Sequence, residues 1–212
     1  MSKDIDLERS YQNPFIGYGY DALSWLVYSP LGGRSALREQ ALNLVDPKAG
    51  ERVLELGCGT GGITSRLLRR GALVTAVDWS EPMLKIAKQR APGVSFVKSE
   101  LTEYQPQAEF DVVLLAFVLH ELAPQERCKA LAIAASAVAM SGRVAVVDHA
   151  APESGLIAKS MFRFVHAFEP PSVSEWAKST FEPELLAAGL RPYRSSMLAQ
   201  GTARAVLARK PG

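Results

Sequence analysis

The sequence predicts an α/β fold with a doubly wound, mostly parallel sheet, helices on both faces and an antiparallel strand near the C-terminus. Three observations predict it. After about residue 50, short apolar runs alternate with helix-like segments, which is typical of a doubly wound sheet. The last two runs are joined by a short connection and must therefore run antiparallel. The chain has 212 residues, enough for one domain with a small appendage.

Local signals place each element in order. The predicted strands lie at residues 52–56, 72–77, 94–97, 110–117, 143–148, 191–196 and 203–208. Gly71 ends a helix over residues 63–70, and Ser80, with Pro82 just inside, begins the next helix. Pro124 begins a long alanine-rich helix that reaches about residue 140. Two further helices are predicted near residues 155–168 and 182–188.

The first 48 residues are distinct from the rest of the chain. Residues 35–45 place Leu37, Ala41, Leu44 and Val45 at the spacing of an amphipathic helix. An aromatic, glycine-broken segment precedes that helix. We predict that residues 1–48 form a helical cap, or substrate lid, over the ligand site; a pair of helices packed on the sheet is the alternative.

Composition narrows the class of protein. No apolar run approaches the roughly 18 residues of a membrane-spanning helix, and the N-terminus has no secretory pattern, so a cytoplasmic location is expected. The net charge of +2 argues against nucleic acid as a partner. Cys58 and Cys128 lie far apart without metal-ligand spacing, and no metal site is predicted.

The stretch VLELGCGTGG, residues 53–62, fits two nucleotide-binding patterns. Gly57, Gly59 and Gly62 satisfy the dinucleotide motif G-x-G-x-x-G, and Asp78 follows at the end of the next strand. The same stretch reads E-x-G-x-G-x-G, the pattern of the S-adenosylmethionine (SAM) loop, through Glu55, Gly57, Gly59 and Gly61.

Glu55 and the chain length favour SAM. A carboxylate just before the turn suits the positively charged amino-acid part of SAM, whereas it would repel a pyrophosphate. Only about 60 residues follow Asp148, too few for the substrate domain of a dehydrogenase. The sequence therefore predicts SAM, with S-adenosylhomocysteine as product.

From about Leu37 onward, the chain resembles the class I SAM-dependent methyltransferases. The resemblance rests on VLELGCGTGG, on VDWS at residues 77–80, on VKSEL at 97–101 and on FDVVLLAFVLHEL at 110–122. It implies a Rossmann-like seven-stranded, mostly parallel sheet with an antiparallel C-terminal strand, and a SAM-binding domain over residues 49–212. AFVLHEL and the closing GTARAVLARKP are similar to the ubiquinone and menaquinone C-methyltransferase group (methyltransferase type 11).

The resemblance also implies a set of cofactor contacts. Gly57, Gly59 and Gly61, with Cys58 inside the same loop, would approach the methionine part of SAM, where a Cβ would intrude. Asp78 would accept hydrogen bonds from both ribose hydroxyls.

Later segments would hold the adenine and the ammonium group. Trp79 and Met83 would lie on the two faces of the adenine, and Glu100 would accept from its amino group beside the amide of Leu101. The carbonyl groups of the last two strand residues would receive the methionine ammonium; these residues are Ala116 and Phe117.

Histidines are the candidates for catalysis. His120 and His149 follow the fourth and fifth strands, and either could act as a base if the acceptor carries a proton. Aromatic segments outside the cofactor motifs are predicted to line the acceptor pocket, through Tyr11, Tyr18, Tyr20, Phe164 and His166.

The sequence thus predicts methyl transfer to a small-molecule acceptor, either quinone-like or another small metabolite. The alternative is a phospholipid N-methyltransferase at the membrane surface, because Leu23, Trp25 and Leu26, with Val27 and Tyr28, could dip into a lipid interface. A SAM-fold protein that binds a partner without chemistry is a further alternative.

Overall fold

The computed structural model describes residues 33–152, 155–156, 159–160 and 171–212. Several predictions fall outside these residues and stay predictions: the first 32 residues of the cap or lid predicted over residues 1–48, the apolar segment 23–28, most of the helix at 155–168, and the pocket residues Tyr11, Tyr18, Tyr20, Phe164 and His166. Among the residues described, no helix combines the length and apolarity that crossing a bilayer requires.

Within the described residues, seven strands form one sheet in the order β3-β2-β1-β4-β5-β7-β6. The strands are β1 (Arg52–Leu56), β2 (Leu73–Asp78), β3 (Ser95–Lys98), β4 (Phe110–Ala116), β5 (Val138–His149), β6 (Arg191–Leu198) and β7 (Ala203–Arg209). β1 to β5 pair in parallel, and β7 runs antiparallel to both β5 and β6. The predicted fold class is confirmed.

Helices cover both faces of this sheet. They are α1 (Gly33–Val45), α2 (Thr64–Arg69), α3 (Glu81–Arg90), α4 (Pro124–Ala137), α5 (Pro171–Lys178) and α6 (Glu182–Ala187), with a 3-10 turn at Leu119–Glu121. Side chains alternate along β4, so that Val112 and Leu114 pack with α1, α2 and α3. Val113 and Leu115 pack with α4, α5 and α6 on the opposite face. This period of two is what a strand buried on both faces requires.

Two predicted elements, the alanine-rich helix and the fifth strand, have different bounds in the structure. The alanine-rich helix ends at Ala137 instead of near residue 140, and Val138 already begins β5. The pairing of β4 with β5 shifts between Phe110 and Val112, which accommodates the extra residues. Gly142 permits this close approach, since a Cβ there would lie 2.8 Å from the carbonyl oxygen of Asp111. Helix α5 was not predicted from the sequence.

Helix α1 packs directly on the sheet. Leu37, Ala41 and Leu42 are buried in the same apolar cluster as side chains of β1, β4, β5 and β7. Its C-terminal end is fixed by Arg143 of β5, which donates hydrogen bonds to the carbonyl oxygens of Val45 and Asp46. α1 is therefore part of the sheet's covering layer.

Candidate active site

The turn after β1 forms the floor of a pocket at the carboxyl edge of the sheet. Gly57 and Gly61 have φ angles of +78° and +74°, which side chains rarely tolerate. A Cβ on Gly57 would lie 2.6 Å from Cγ2 of Val118, and one on Gly61 would lie 2.9 Å from Ala87. The amides of Gly57 and Cys58 both donate to the carbonyl oxygen of Val77. Glycine is thus required by backbone conformation and by packing together.

Asp78 ties this turn to the end of β2. Its Oδ2 accepts from the Gly59 amide at 2.7 Å, and its Oδ1 accepts from the Ser80 amide at 2.9 Å. Burial raises the pKa of the Asp78 carboxyl, and these backbone N–H groups oppose the rise. Each carboxylate oxygen has a further lone pair, so Asp78 can anchor the loop and still accept from a ligand hydroxyl.

Glu55 is a buried carboxyl on the wall of the same pocket. Burial is the main reason that its pKa rises to about 8; the hydrogen bond from Thr64 and the guanidinium of Arg38 oppose the rise. Thr64 Oγ1 donates to Glu55 Oε2 at 2.6 Å. A carboxyl in this state becomes a stable carboxylate when a cation approaches, and an ammonium group is such a cation.

Most of the residues predicted to bind the cofactor lie around one pocket. The wall includes Glu55, Gly57, Cys58, Gly59, Asp78, Trp79, Met83, Glu100, Leu101, Ala116 and Phe117. Gly61 is not among the residues that line the pocket, and a Cβ there would lie 2.9 Å from Ala87 of α3; its contact with the cofactor stays a prediction. Four elements that are distant in the sequence therefore meet here: the β1 turn, the β2 end, the β3 end and the β4 end.

An apolar slot lies beside Asp78. Ser80 is the N-cap of α3, and its side chain accepts from the Met83 amide. This cap places Met83 on the wall, where it is buried. Half-buried Trp79 and buried Leu101 complete the slot. Apolar and aromatic side chains of this kind suit the faces of a heteroaromatic ring, as predicted for adenine.

Beyond the glycine turn, the end of β4 has an unusual backbone. Phe117 has a φ angle of +56°, which is uncommon for a residue with a side chain. Its amide donates to the carbonyl oxygen of Val147 at 2.7 Å. Its ring meets that of His149 edge to face, with centroids 5.4 Å apart. The strained turn thus brings the β4 end onto the pocket wall.

The two predicted bases are neighbours, but they stand in different places. The rings of His120 and His149 meet edge to face at 4.6 Å. His149 lies on the pocket wall, together with Glu121, whereas His120 is buried behind them. His120 Nδ1 lies 2.7 Å from Oδ1 of Asp148.

Asp148 is a site residue that the sequence reasoning missed. It is fully buried. Burial alone would raise the pKa of this carboxyl, but His120, His149 and a backbone N–H together hold the pKa below its ordinary value. Ligand atoms of Asp148, His120 and His149 all lie within 4.8 Å of one another, a spacing at which a metal ion could be held. The adjacent Asp148 and His149 at the end of a predicted strand are the sequence signal that could have identified this residue.

Arg38 of α1 was also missed. It lines the pocket, and its Cζ would lie 2.5 Å from a Cβ on Gly62. Its charge acts on Glu55, whose pKa it lowers. Helical periodicity predicts that Leu37 and Ala41 face the sheet. It does not predict that the neighbouring Arg38 contacts the glycine loop, because that contact depends on the tertiary fold.

These features fit SAM as the cofactor. The buried carboxyl of Glu55 suits the ammonium group of SAM, and the guanidinium of Arg38 on the same wall suits its carboxylate. The carboxyl of Asp78 suits the two ribose hydroxyls, and the apolar slot suits the purine. The Gly57 and Gly59 turn leaves space where a Cβ would otherwise stand. The charges and polarity of these residues therefore match those of SAM.

Comparison with known proteins indicates a methyltransferase. Residues 53–142 match the sequence model of a methyltransferase domain. An uncharacterised methyltransferase of Synechocystis is 28% identical over 202 residues, covering 94% of this chain and 93% of the relative. A demethylmenaquinone methyltransferase of Thermus thermophilus is 33% identical over 143 residues, covering 64% of this chain and 63% of the relative.

Three further curated relatives are matched over less than two thirds of their length, at 53%, 64% and 45%. Among solved structures, a TehB-like SAM-dependent methyltransferase from Corynebacterium glutamicum has a TM-score of 0.66 at 21% identity, covering 94% of this chain and all of that one. That likeness establishes the fold. The methyltransferase-domain match and the sequence relatives, with this fold, identify the chain as a SAM-dependent methyltransferase of the class I fold.

Proposed function

We propose that this enzyme transfers the methyl group of SAM to a small-molecule acceptor with a quinone-like aromatic ring. The observation that carries the proposal is the wall beside the β4 end, where Phe117, Glu121 and His149 line the pocket together. An aromatic ring with polar substituents suits this mixture of aromatic and hydrogen-bonding groups. The demethylmenaquinone methyltransferase of Thermus thermophilus, whose name indicates a quinone-type acceptor, supports the same choice.

Each part of the pocket has a proposed role. When bound, SAM supplies an electrophilic methyl group on a positively charged sulfur. Glu55 binds the ammonium, Asp78 the ribose hydroxyls, and the slot of Trp79 and Met83 the adenine; Glu100 and Leu101 lie at its edge. Ala116 and Phe117 orient the methionine end. Because methyl transfer depends on in-line alignment, the chain contributes mainly positioning and exclusion of water.

The acceptor proposal is tested by direct assay. Purified protein is mixed with SAM and, in separate reactions, with 1,4-naphthohydroquinone, phenol, benzylamine or phosphatidylethanolamine vesicles. S-Adenosylhomocysteine and the product mass are then measured. We expect the hydroquinone to gain 14 mass units (replacement of H by CH3) and to be the preferred acceptor. Methylation of the amine or the lipid in place of the hydroquinone would contradict the proposal.

The vesicle reaction addresses the alternative of a phospholipid acceptor. That alternative rests on the apolar residues 23–28, which lie outside the described residues. Sedimentation with anionic vesicles at low salt gives a second measurement. Methylated lipid together with salt-sensitive sedimentation would replace the quinone-like acceptor by a lipid headgroup, whereas recovery of the protein in the supernatant would leave the hydroquinone as the expected acceptor.

A further inference from the structure

The glycine turn after β1 is held from two sides by side chains that lie outside it. On one side, Asp78 accepts a hydrogen bond from the Gly59 amide at 2.7 Å. On the other side, Nη1 of Arg90 donates to Oγ1 of Thr60 at 2.8 Å and to the carbonyl oxygen of Thr60 at 3.2 Å. Thr60 is buried and lies on the pocket wall. The turn therefore has a second attachment, which comes from helix α3.

One face of α3 carries this attachment. Met83, Ala87 and Arg90 have the spacing of neighbours on one side of a helix. Met83 lies on the pocket wall at the predicted adenine site. Ala87 packs so closely on the turn that a Cβ on Gly61 would lie 2.9 Å from it. Arg90 stands at the C-terminal end of the helix and reaches Thr60. The same helix thus supports the adenine slot near its start and the glycine turn at its end.

The contact of Arg90 uses the geometry of its guanidinium group. A terminal nitrogen of arginine carries two hydrogens, and at Nη1 one reaches the hydroxyl oxygen and the other the carbonyl oxygen of Thr60. The side chain and the backbone of Thr60 are therefore fixed together. Gly59 and Gly61 on either side have φ angles of +52° and +74°. Because glycine has more conformations available than other residues, such a turn gains order from an external contact.

We propose that Arg90 is a positioning residue for the methionine half of the cofactor. By holding Thr60, it keeps the glycine turn in the conformation that receives the amino-acid part of SAM, although Arg90 is not among the residues that line the pocket. The inference rests on the binding mode given with the proposed function, in which the methionine end lies at Glu55, directly before the turn. It is independent of the methyl acceptor.

The expected effect follows from the population of the binding-competent turn. Apparent affinity falls in proportion to the fraction of free protein whose site is ready to bind. In Arg90→Met, which keeps the length of the side chain but cannot donate, we expect this fraction to fall to about a third to a tenth, the order of one net hydrogen bond. S-Adenosylhomocysteine should then bind about three- to tenfold more weakly. Adenosine lacks the amino-acid part and should lose less than about twofold.

Calorimetry with adenosine and with S-adenosylhomocysteine tests this selectivity, and no methyl acceptor is needed. Lys88→Met is the matched control, since it removes a cation from the same last turn of α3. Both affinities of this control should stay within about twofold of wild type, because exposed charges are largely screened by salt. Thermal melts of each variant show whether a change in binding accompanies a change in stability.

A double-variant cycle examines whether Arg90 acts through Thr60. Thr60→Val removes the hydroxyl group and keeps the shape of the side chain. The loss of S-adenosylhomocysteine affinity in the double variant should be smaller than the product of the two single losses, since both changes remove the same contact. Hydrogen exchange gives a second measurement. The amides of Gly59 and Gly61 should exchange faster in ligand-free Arg90→Met than in ligand-free wild type.

Glu55→Gln separates this inference from the binding mode on which it rests. That variant should weaken S-adenosylhomocysteine more than adenosine, because only the former carries an ammonium group. Selectivity in Glu55→Gln but not in Arg90→Met would refute the role of Arg90 and leave the binding mode in place. Selectivity in neither variant would refute the binding mode, and the inference would fail with it.

Three further results would overturn the inference. Equal losses for both ligands in Arg90→Met, together with a lowered Tm, would show that the contact only stabilises the fold. The same selective loss in Lys88→Met would show a general effect of charge. Single losses that multiply in the double variant would show that Arg90 does not act through Thr60.

Discussion

Glu55 is the residue whose chemistry the fold changes most. As a free side chain it would be ionised at neutral pH, but burial raises its pKa to about 8. The folded protein therefore holds a proton there that the unfolded chain releases above about pH 4.5. The contribution of Glu55 to the free energy of unfolding is greatest at acid pH, and it is lost as the pH rises through about 8. The residue proposed to bind a cation thus costs stability at the pH where it works.

Glu55→Gln is expected to raise Tm and weaken cofactor binding together. The amide oxygen can still accept from Thr64, and it carries no charge that burial penalises. The gain in Tm over wild type should grow from pH 6 to pH 8, by about 2–4 °C per kcal/mol for a chain of this size. Thermal melts across pH measure it, with Glu103→Gln, which changes an exposed carboxyl, as control. A Tm gain that shrinks with rising pH would contradict the sign.

Cofactor affinity should also depend on pH through Glu55. Binding an ammonium requires the carboxylate, so a proton must leave Glu55 below about pH 8. The affinity for SAM should rise by up to about tenfold per pH unit from pH 6 towards 8. Calorimetry in two buffers with different ionisation enthalpies detects the released proton. Binding enthalpies identical in both buffers would show that no proton is released.

Asp78 combines two roles in one carboxylate. It anchors the glycine turn through the Gly59 amide, and it is proposed to bind the ribose hydroxyls. Asp78→Ala should weaken SAM binding by about 1–3 kcal/mol, the range for losing partners of buried polar groups, and should also lower Tm because two backbone amides lose their acceptor. Calorimetry and thermal melts measure the two effects. Unchanged affinity with a lowered Tm would leave Asp78 as an anchor alone.

At the scale of elements, the junction of the β1 turn with the β4 end sets the pocket's shape. Gly57→Ala adds a Cβ that meets Val118, in a backbone conformation already unfavourable for alanine. Gly50→Ala is a matched control, since Gly50 has a similar φ of +82° and no atom within 4 Å of an added Cβ. We expect Gly57→Ala to destabilise the protein by at least 1 kcal/mol more than Gly50→Ala, as overpacking typically costs about 1–3 kcal/mol. Denaturant unfolding of both variants gives this difference. Equal losses of stability in the two variants would mean that the backbone of the turn shifts to accommodate the new methyl group.

Sequence patterns were sufficient for these elements and for part of the site. The strands, the Ser80 cap and the glycine turn follow from local rules, so their positions agree with the structure within a few residues. The end of α4 does not, because Val138 leaves the helix to pair with Phe110 across the sheet. The contact of Asp148 with His120 spans 28 residues. Such contacts depend on strand order, which no local pattern specifies.

At the scale of the whole molecule, Arg143 attaches helix α1 to the sheet. Its guanidinium forms a bidentate ion pair with Glu51. It also donates hydrogen bonds to the carbonyl oxygens of Val45 and Asp46 at the C-terminal end of α1. Arg143→Lys should destabilise the protein by about 1–3 kcal/mol, because an ammonium cannot reproduce the fork. The control is Lys48→Gln, which breaks a solvent-exposed ion pair with Asp46 and should have little effect on stability. Denaturant unfolding gives the loss of stability in each variant. Equal losses would show that Arg143 does not hold α1 on the sheet.

The position of Arg38 on the pocket wall extends this connection to ligand binding. Because α1 supplies two wall residues, Leu37 and Arg38, and is held by Arg143, a ligand that contacts Arg38 stabilises the docked helix, and the docked helix strengthens binding by the same free energy. Hydrogen exchange in the backbone of α1 should therefore slow when S-adenosylhomocysteine is added. If exchange slows as expected, the attachment of α1 to the sheet would act as a sensor of an occupied cofactor site for the chain that precedes this helix.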